Sequence, residues 1–234
     1  VSGSEMCIRD RFWICALLSL IAMATLVIFV PTPASAKINN EAIPMLHLFP
    51  KVLAHPKLTI LNFGVFVLHA SLVALFLKIP LALQLLGFEK SATWQFYMPL
   101  FLSALFATAL CILVIEQKKW VKYGIALSVL ALAISEAGIL YFFNHLIGLA
   151  CSMWLFFTAF NILEASLPSL VAKSAPTGCK GTALGIYSSA QFLGLFAGGM
   201  LGGWLDSAYG MIAVMLFCII PVSYTHLTLP TILL

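Results

Sequence analysis

The sequence predicts an all-α membrane protein, a bundle of transmembrane helices, and three observations carry that prediction. Of its 234 residues, 62% are hydrophobic and 9% charged, and the mean hydropathy of +1.09 lies outside the range of soluble domains. Apolar runs of about twenty residues recur along the chain, the length at which a helix crosses the hydrocarbon of a bilayer. Lysines crowd into every second gap between those runs: Lys37, Lys51 and Lys57, then Lys118, Lys119 and Lys122, then Lys173 and Lys180. Lysine-rich connections stay on the cytoplasmic side, so residues 31–57, 116–122 and 172–180 are expected there.

The first run, 12–30, is followed by Pro31, Thr32 and Pro33 and a polar stretch to Lys57. Arg9 and Arg11 before it and Ala34-Ser35-Ala36 after it resemble a secretory signal peptide with its cleavage site. The apolar core is too long for that reading, and cleavage would put the lysines on the wrong face. Further spans are expected at 58–77, 96–115, 121–143, 146–170 and 181–205, and a last run at 208–222 is short, as of a helix cut off before its end. The outer connections are 87–93, a turn at Asn144 and His145, and Asp206 with Ser207; they carry Lys90, with Lys78 at a span end. Such short turns imply antiparallel neighbours.

Residues 1–11 and 223–234 resemble translated adapter or vector sequence and are expected to be foreign. Setting them aside removes Arg9 and Arg11, the only cations that argue for a cytoplasmic N-terminus. The formal charge of +4 does not point to nucleic acid, because the cations sit between spans and not on one polar face. The six cysteines are scattered with no C-x-x-C pair, and they read as small buried apolar residues, not as metal ligands. Residues 177–182 resemble a phosphate loop only superficially, since Lys180 precedes its glycine. No catalytic motif is visible, so neither an enzyme, a metal nor a cofactor is expected.

Ionisable and amide side chains at membrane depth are costly and need a reason. His69 shares a helical face with Phe66 and Asn62, a stripe suited to a cavity wall, and imidazole exchanges protons near neutral pH; the alternative is a histidine bonded to a neighbouring helix. Glu164 shares a face with Asn161 and Pro168 and is either a proton site or an anchor to the interface through Lys173. Glu136, flanked by Ser135 and Gly138, is as suited to snorkelling or interhelical pairing as to chemistry. Gln191 lies one turn before a glycine-rich stretch. Gly181, Gly185, Gly194, Gly198, Gly199, Gly202 and Gly203 punctuate one span with three overlapping G-x-x-x-G spacings, a pattern that lets helix backbones meet closely and suits an element that rocks.

Phe156-Phe157-Thr158-Ala159-Phe160-Asn161-Ile162-Leu163-Glu164, then Lys180-Gly181-Thr182-Ala183-Leu184-Gly185, then Gly198-Gly199-Met200-Leu201-Gly202-Gly203 resemble helices ten and eleven of the major facilitator superfamily, in its YajR-like efflux branch of bacterial inner membranes. Leu61-Asn62-Phe63-Gly64 and Leu68-His69-Ala70 are similar to that branch's seventh helix. The resemblance implies helix six at 12–30, a central cytoplasmic loop at 31–57, and helices seven to eleven with a truncated helix twelve at 58–222. The chain is then a fragment of a proton-coupled efflux transporter working by alternating access, whose missing N-terminal half, small-molecule substrate, protons and the lipid bilayer are its partners. Helices seven and ten line the family's cavity, which implies cavity-lining roles for Asn62, His69, Phe157, Asn161 and Gln191, and proton coupling by His69 or Glu164. Helix nine is peripheral in that family, which demotes Glu136. The start of helix eleven, Gly181 to Gly185, is implied as the receptor for a signature loop that this chain lacks. A membrane scaffold that uses its glycines for packing alone is the alternative.

Overall fold

A computed structural model describes residues 2–31 and 43–232, with side chains described at Asp10, 12–31 and 43–222. The chain divides into two compact units, the first ending at Asn39. The first holds α1 (Ser2–Phe29), whose portion Phe12–Phe29 is long and apolar enough to cross a membrane. Within it Ser19 and Thr25 donate to the carbonyls of Cys15 and Ile21 at 2.8 Å, so neither hydroxyl is left unpaired in lipid. Arg9, Arg11, Ala34, Ser35, Ala36 and Lys37 lie outside the described side chains.

The second unit holds a short α2 (Phe49–Leu53), then α3 (Pro56–Leu85), α4 (Trp94–Gln117), α5 (Val121–Tyr141), α6 (Leu146–Ser174), α7 (Lys180–Tyr209) and α8 (Met211–Ile232). No strand occurs among the described residues, and α1 and α3 to α7 all satisfy the length and hydropathy of a membrane span. Trp94, Trp120, Tyr123, Tyr141, Trp204 and Tyr209 stand exposed near helix ends, the positions where amphipathic rings settle at a bilayer interface. The helices start and stop on local chemistry. His145 caps α6 by accepting the Gly148 N–H at Nδ1, 3.1 Å away. Gly210, at φ 75°, takes the left-handed turn that separates α7 from α8.

α3 is the central element and packs against α6, α7 and α8. Helix order along the chain is not order in space: α5 and α6 pack closely as their short turn implies, but α4 packs chiefly on α6 and touches α5 little. The α3–α7 contact is built on glycine. A Cβ at Gly194 would strike the Phe66 backbone and one at Gly198 the Ala70 backbone, while Gly202 faces Ala74 and Leu77 side chains. Gly185 and Gly199 would meet only ordinary contacts, from Pro44 and Val73, and Gly203 has open space beside it; Gly181 opens the first turn of α7.

Three features differ from expectation. The cysteines are not uniformly buried: Cys15, Cys111 and Cys151 lie on exposed helix faces, and Cys179 and Cys218 inside. The run at 208–222 is not a helix of that length, since α8 begins after Gly210 and its backbone stays helical to Ile232. Lys78 is not at a span end and Asp206 is not in a connection, because α3 runs on past Pro80 to Leu85 and α7 to Tyr209. The two pair as an ion pair between α3 and α7, which neutralises both charges and lets each helix continue at membrane depth.

Lys78 is the more deeply buried partner, its side chain 9% exposed against 36% for Asp206. Asp206→Asn therefore leaves a buried ammonium unpaired, a change that costs about 3 to 5 kcal/mol in a fully buried pair. Discounted for the exposure of Asp206, the expected loss is roughly 1 to 3 kcal/mol. Thermal unfolding in detergent checks this, and adding Lys78→Met to Asp206→Asn is expected to recover most of the loss as a double-mutant cycle.

Candidate functional site

Three of the polar side chains singled out in the spans, His69, Glu164 and Gln191, meet where α3, α6 and α7 pack. α3 supplies His69, 5% exposed, whose ring Nδ1 lies 3.0 Å from the Val65 carbonyl one turn back. A carbonyl only accepts, so Nδ1 is assigned the proton and Nε2 the lone pair. Gln191 on α7 places its amide nitrogen 2.9 Å from that Nε2 and 3.0 Å from Oε1 of Glu164 on α6. One NH2 group thus donates both of its hydrogens, one to an imidazole and one to a carboxylate. The other carboxylate oxygen, Oε2, lies 3.5 Å from His69 Nε2 and makes no hydrogen bond.

The glycines set this geometry. Gln191 is one helical turn before Gly194, and His69 is three residues after Phe66 and adjacent to Ala70, the two backbone positions that Gly194 and Gly198 rest on. Without that close approach a glutamine amide on α7 could not reach an imidazole on α3. A second proton on His69 would sit on Nε2 and point at the Gln191 nitrogen, donor against donor. Glu164 Oε2 is the acceptor nearest that nitrogen on α6.

Other expected residues fall around this set in different ways. Glu164 does not turn to Lys173, which is exposed; its oxygens face Gln191 and His69 instead. Asn62 is buried, 7% exposed, with neither amide atom hydrogen-bonded, and the Nδ2 of Asn161 is likewise unpartnered. Phe157 joins an aromatic cluster with Phe76, Phe101 and Phe156 and does not touch His69. The ring beside the imidazole is Phe160, edge-on at 5.4 Å. Sequence reading missed Phe160, although it lies one turn before Glu164 on the same face. It also missed Tyr187, one turn before Gln191, buried and within electrostatic reach of Glu164. At the start of α7, the Met45 N–H donates to the Thr182 hydroxyl at 2.9 Å and Pro44 lies against Gly185. Pro44 and Met45 therefore pack against the start of α7.

Glu136 neither snorkels nor pairs with a cation: it is 0% exposed and faces the interior of the bundle from α5. Among the described residues no group of His, Cys, Asp or Glu is arranged to hold a metal ion.

No family model matches the chain. The chain is 36% identical over 198 residues to the inner membrane transport protein YajR of Escherichia coli (strain K12), an alignment covering 85% of this chain and 44% of that protein. It is 32% identical over 194 residues to an uncharacterised transporter of Buchnera aphidicola subsp. Acyrthosiphon pisum, covering 80% of this chain and 48% of that one. A second uncharacterised Buchnera transporter, from the subspecies Baizongia pistaciae, matches at 32% over 171 residues, 72% of this chain and 43% of the relative. The chain spans about half the length of the curated relatives it matches.

Proposed function

Because the chain is YajR-like along about half of that transporter's length, we propose that it forms one half of a proton-coupled efflux transporter of the major facilitator type in a bacterial inner membrane. In this reading α1 is helix six, α3 to α7 are helices seven to eleven and α8 begins helix twelve, with 31–57, 116–122 and 172–180 cytoplasmic and 1–11 and 223–234 foreign. The half that its relatives carry and this chain lacks completes the substrate cavity, opposite Asn62, Phe157, Asn161 and Gln191. The role is transport and not catalysis, in keeping with relatives that are named transporters.

The observation that carries the proposal is the contact of His69, Gln191 and Glu164 across three helices. A proton arriving on His69 removes the Gln191 bond and draws Glu164 in, which shifts α7 relative to α3 and α6. Only a difference in protein–proton affinity between two arrangements can drive such a shift, and the exchange of hydrogen-bond partners supplies that difference. Of the α7 glycines, Gly194, Gly198 and Gly202 give the helix a smooth face toward α3 on which to move. A static scaffold has no use for a histidine, an amide and a carboxylate converging in one contact.

The test is transport by the whole transporter, both halves present, in inverted membrane vesicles. With a panel of small amphipathic compounds and an imposed pH gradient, at least one compound is expected to accumulate, and a protonophore is expected to abolish the accumulation. Uptake that ignores the gradient for every compound would overturn the proton-coupled reading.

A further inference from the structure

Glu136 has no place in the contact just described, and its surroundings are unusual for a carboxyl group. It is fully buried, and neither oxygen makes a hydrogen bond of ordinary geometry among the described residues. Ser71 from α3 and Cys218 from α8 are the polar side chains brought against it. The adjacent Ser135 spends its hydroxyl on the Leu132 carbonyl, 2.6 Å away.

Among the described residues no cation is paired with it. On α3, His69 is bonded to Gln191, Lys78 is paired with Asp206, and Lys57 is exposed. On α6, Glu164 is engaged with Gln191 and Lys173 is exposed; on α4, Glu116 is exposed at the helix end. α8 carries no charged side chain from 211 to 222, so Cys218 is its one titratable group there. A bare carboxylate in such a place lacks everything that makes burial of charge tolerable, whereas a neutral carboxylic acid needs only a single acceptor. The Ser71 hydroxyl can be that acceptor.

We infer that Glu136 is a second proton-binding site, separate from the His69, Gln191 and Glu164 contact, in which a bound proton joins α5 to α3 and α8. The ligand is the proton itself, held on the carboxyl oxygen nearer Ser71. Releasing it would leave an uncompensated charge between three packed helices, so release requires α8 or α3 to move and admit water. Departure of this proton is thereby tied to opening of the α3–α5–α8 seam and not of the α3–α7 seam.

Infrared spectroscopy of the 234-residue chain in an ester-free detergent tests the assignment without any transport measurement. At pH 7 the chain is expected to show the carbonyl stretch of a protonated, weakly hydrogen-bonded carboxylic acid, shifted in D2O. Glu136→Gln is expected to delete that band, Glu136→Asp to move it, and Glu164→Gln to leave it intact, with circular dichroism showing equal helix content in all four proteins. A band absent from the parent chain, or retained in Glu136→Gln, would overturn the inference. A band lost in Glu164→Gln would overturn it too, because the protonated carboxyl would then be Glu164. Should Glu136→Gln fail to fold, the shift in Glu136→Asp decides, and an unmoved band counts against the site.

Discussion

Gly198→Leu is expected to unfold the α3–α7 contact, with the largest stability loss of any single substitution in the α7 glycine series. An added Cβ at Gly198 meets Ala70 backbone, its Cα at 2.7 Å and its carbonyl carbon at 2.9 Å. Backbone cannot rotate aside as a side chain can, so the helices must separate along the whole seam. Overpacking of this kind costs about 1 to 3 kcal/mol even where side chains can adjust, and it opposes a gain of only about 1 kcal/mol from removing a glycine from a helix. Steric cost wins at Gly198. In lipid there is no compensating hydrophobic drive between helices, and close packing is itself the source of association.

The neighbouring glycines make the prediction graded. Gly202 would meet the Ala74 Cβ and the Leu77 Cδ1, both at 3.2 Å, contacts that can yield by small shifts, and Gly203 has nothing within 4 Å. The expected order of thermal midpoints in detergent is Gly203→Leu near the parent, Gly202→Leu lower, and Gly198→Leu lowest or without a folded form. Equal midpoints for Gly198→Leu and Gly203→Leu would show that α7 does not rest on α3 through this face.

The second large effect is expected at Glu164. In Glu164→Gln the carboxylate proposed to pair with a proton-bearing His69 becomes an amide of the same shape. The Gln191 donor still finds an oxygen acceptor, so the resting contact survives. The protonated arrangement loses its ion pair, and with it the difference between the two states that makes a proton useful. Coupling free energies of this kind are typically about 1 to 3 kcal/mol, or roughly 5-fold to 150-fold in an equilibrium. Gradient-driven accumulation by the whole transporter is therefore expected to fall at least about fivefold, while exchange of substrate down its own gradient continues. Loss of both activities together would point to a structural role for Glu164.

Much of this could be read from residues alone, and the reasons for the rest are physical. Hydropathy found the spans because length and apolarity are local properties. It misplaced Lys78 and Asp206, because a charge inside a run reads as a run's end unless its partner, more than a hundred residues away, is known. His69, Glu164 and Gln191 each stood out as polar groups in apolar surroundings, yet their meeting depends on which glycines of α7 face α3. The G-x-x-x-G spacing offers several such registers, and only contact with Phe66 and Ala70 backbone selects Gly194 and Gly198. Phe157 stands out by its place in the motif, but its ring partners Phe76, Phe101 and Phe156 come from three stretches of the chain that only the fold brings together. Glu136 was set aside by analogy with a peripheral helix, whereas its own side chain points inward.

His69 is proposed to take up the proton that shifts α7. Substrate-driven proton movement, followed with a pH-sensitive dye in proteoliposomes holding the whole transporter, tests it most directly when the parent and His69→Ala are compared at equal protein content. Proton movement is expected on substrate addition with the parent and none with His69→Ala, although substrate exchange persists in both. Equal proton movement in the two proteins would contradict the claim and return His69 to the role of a buried hydrogen-bonding residue.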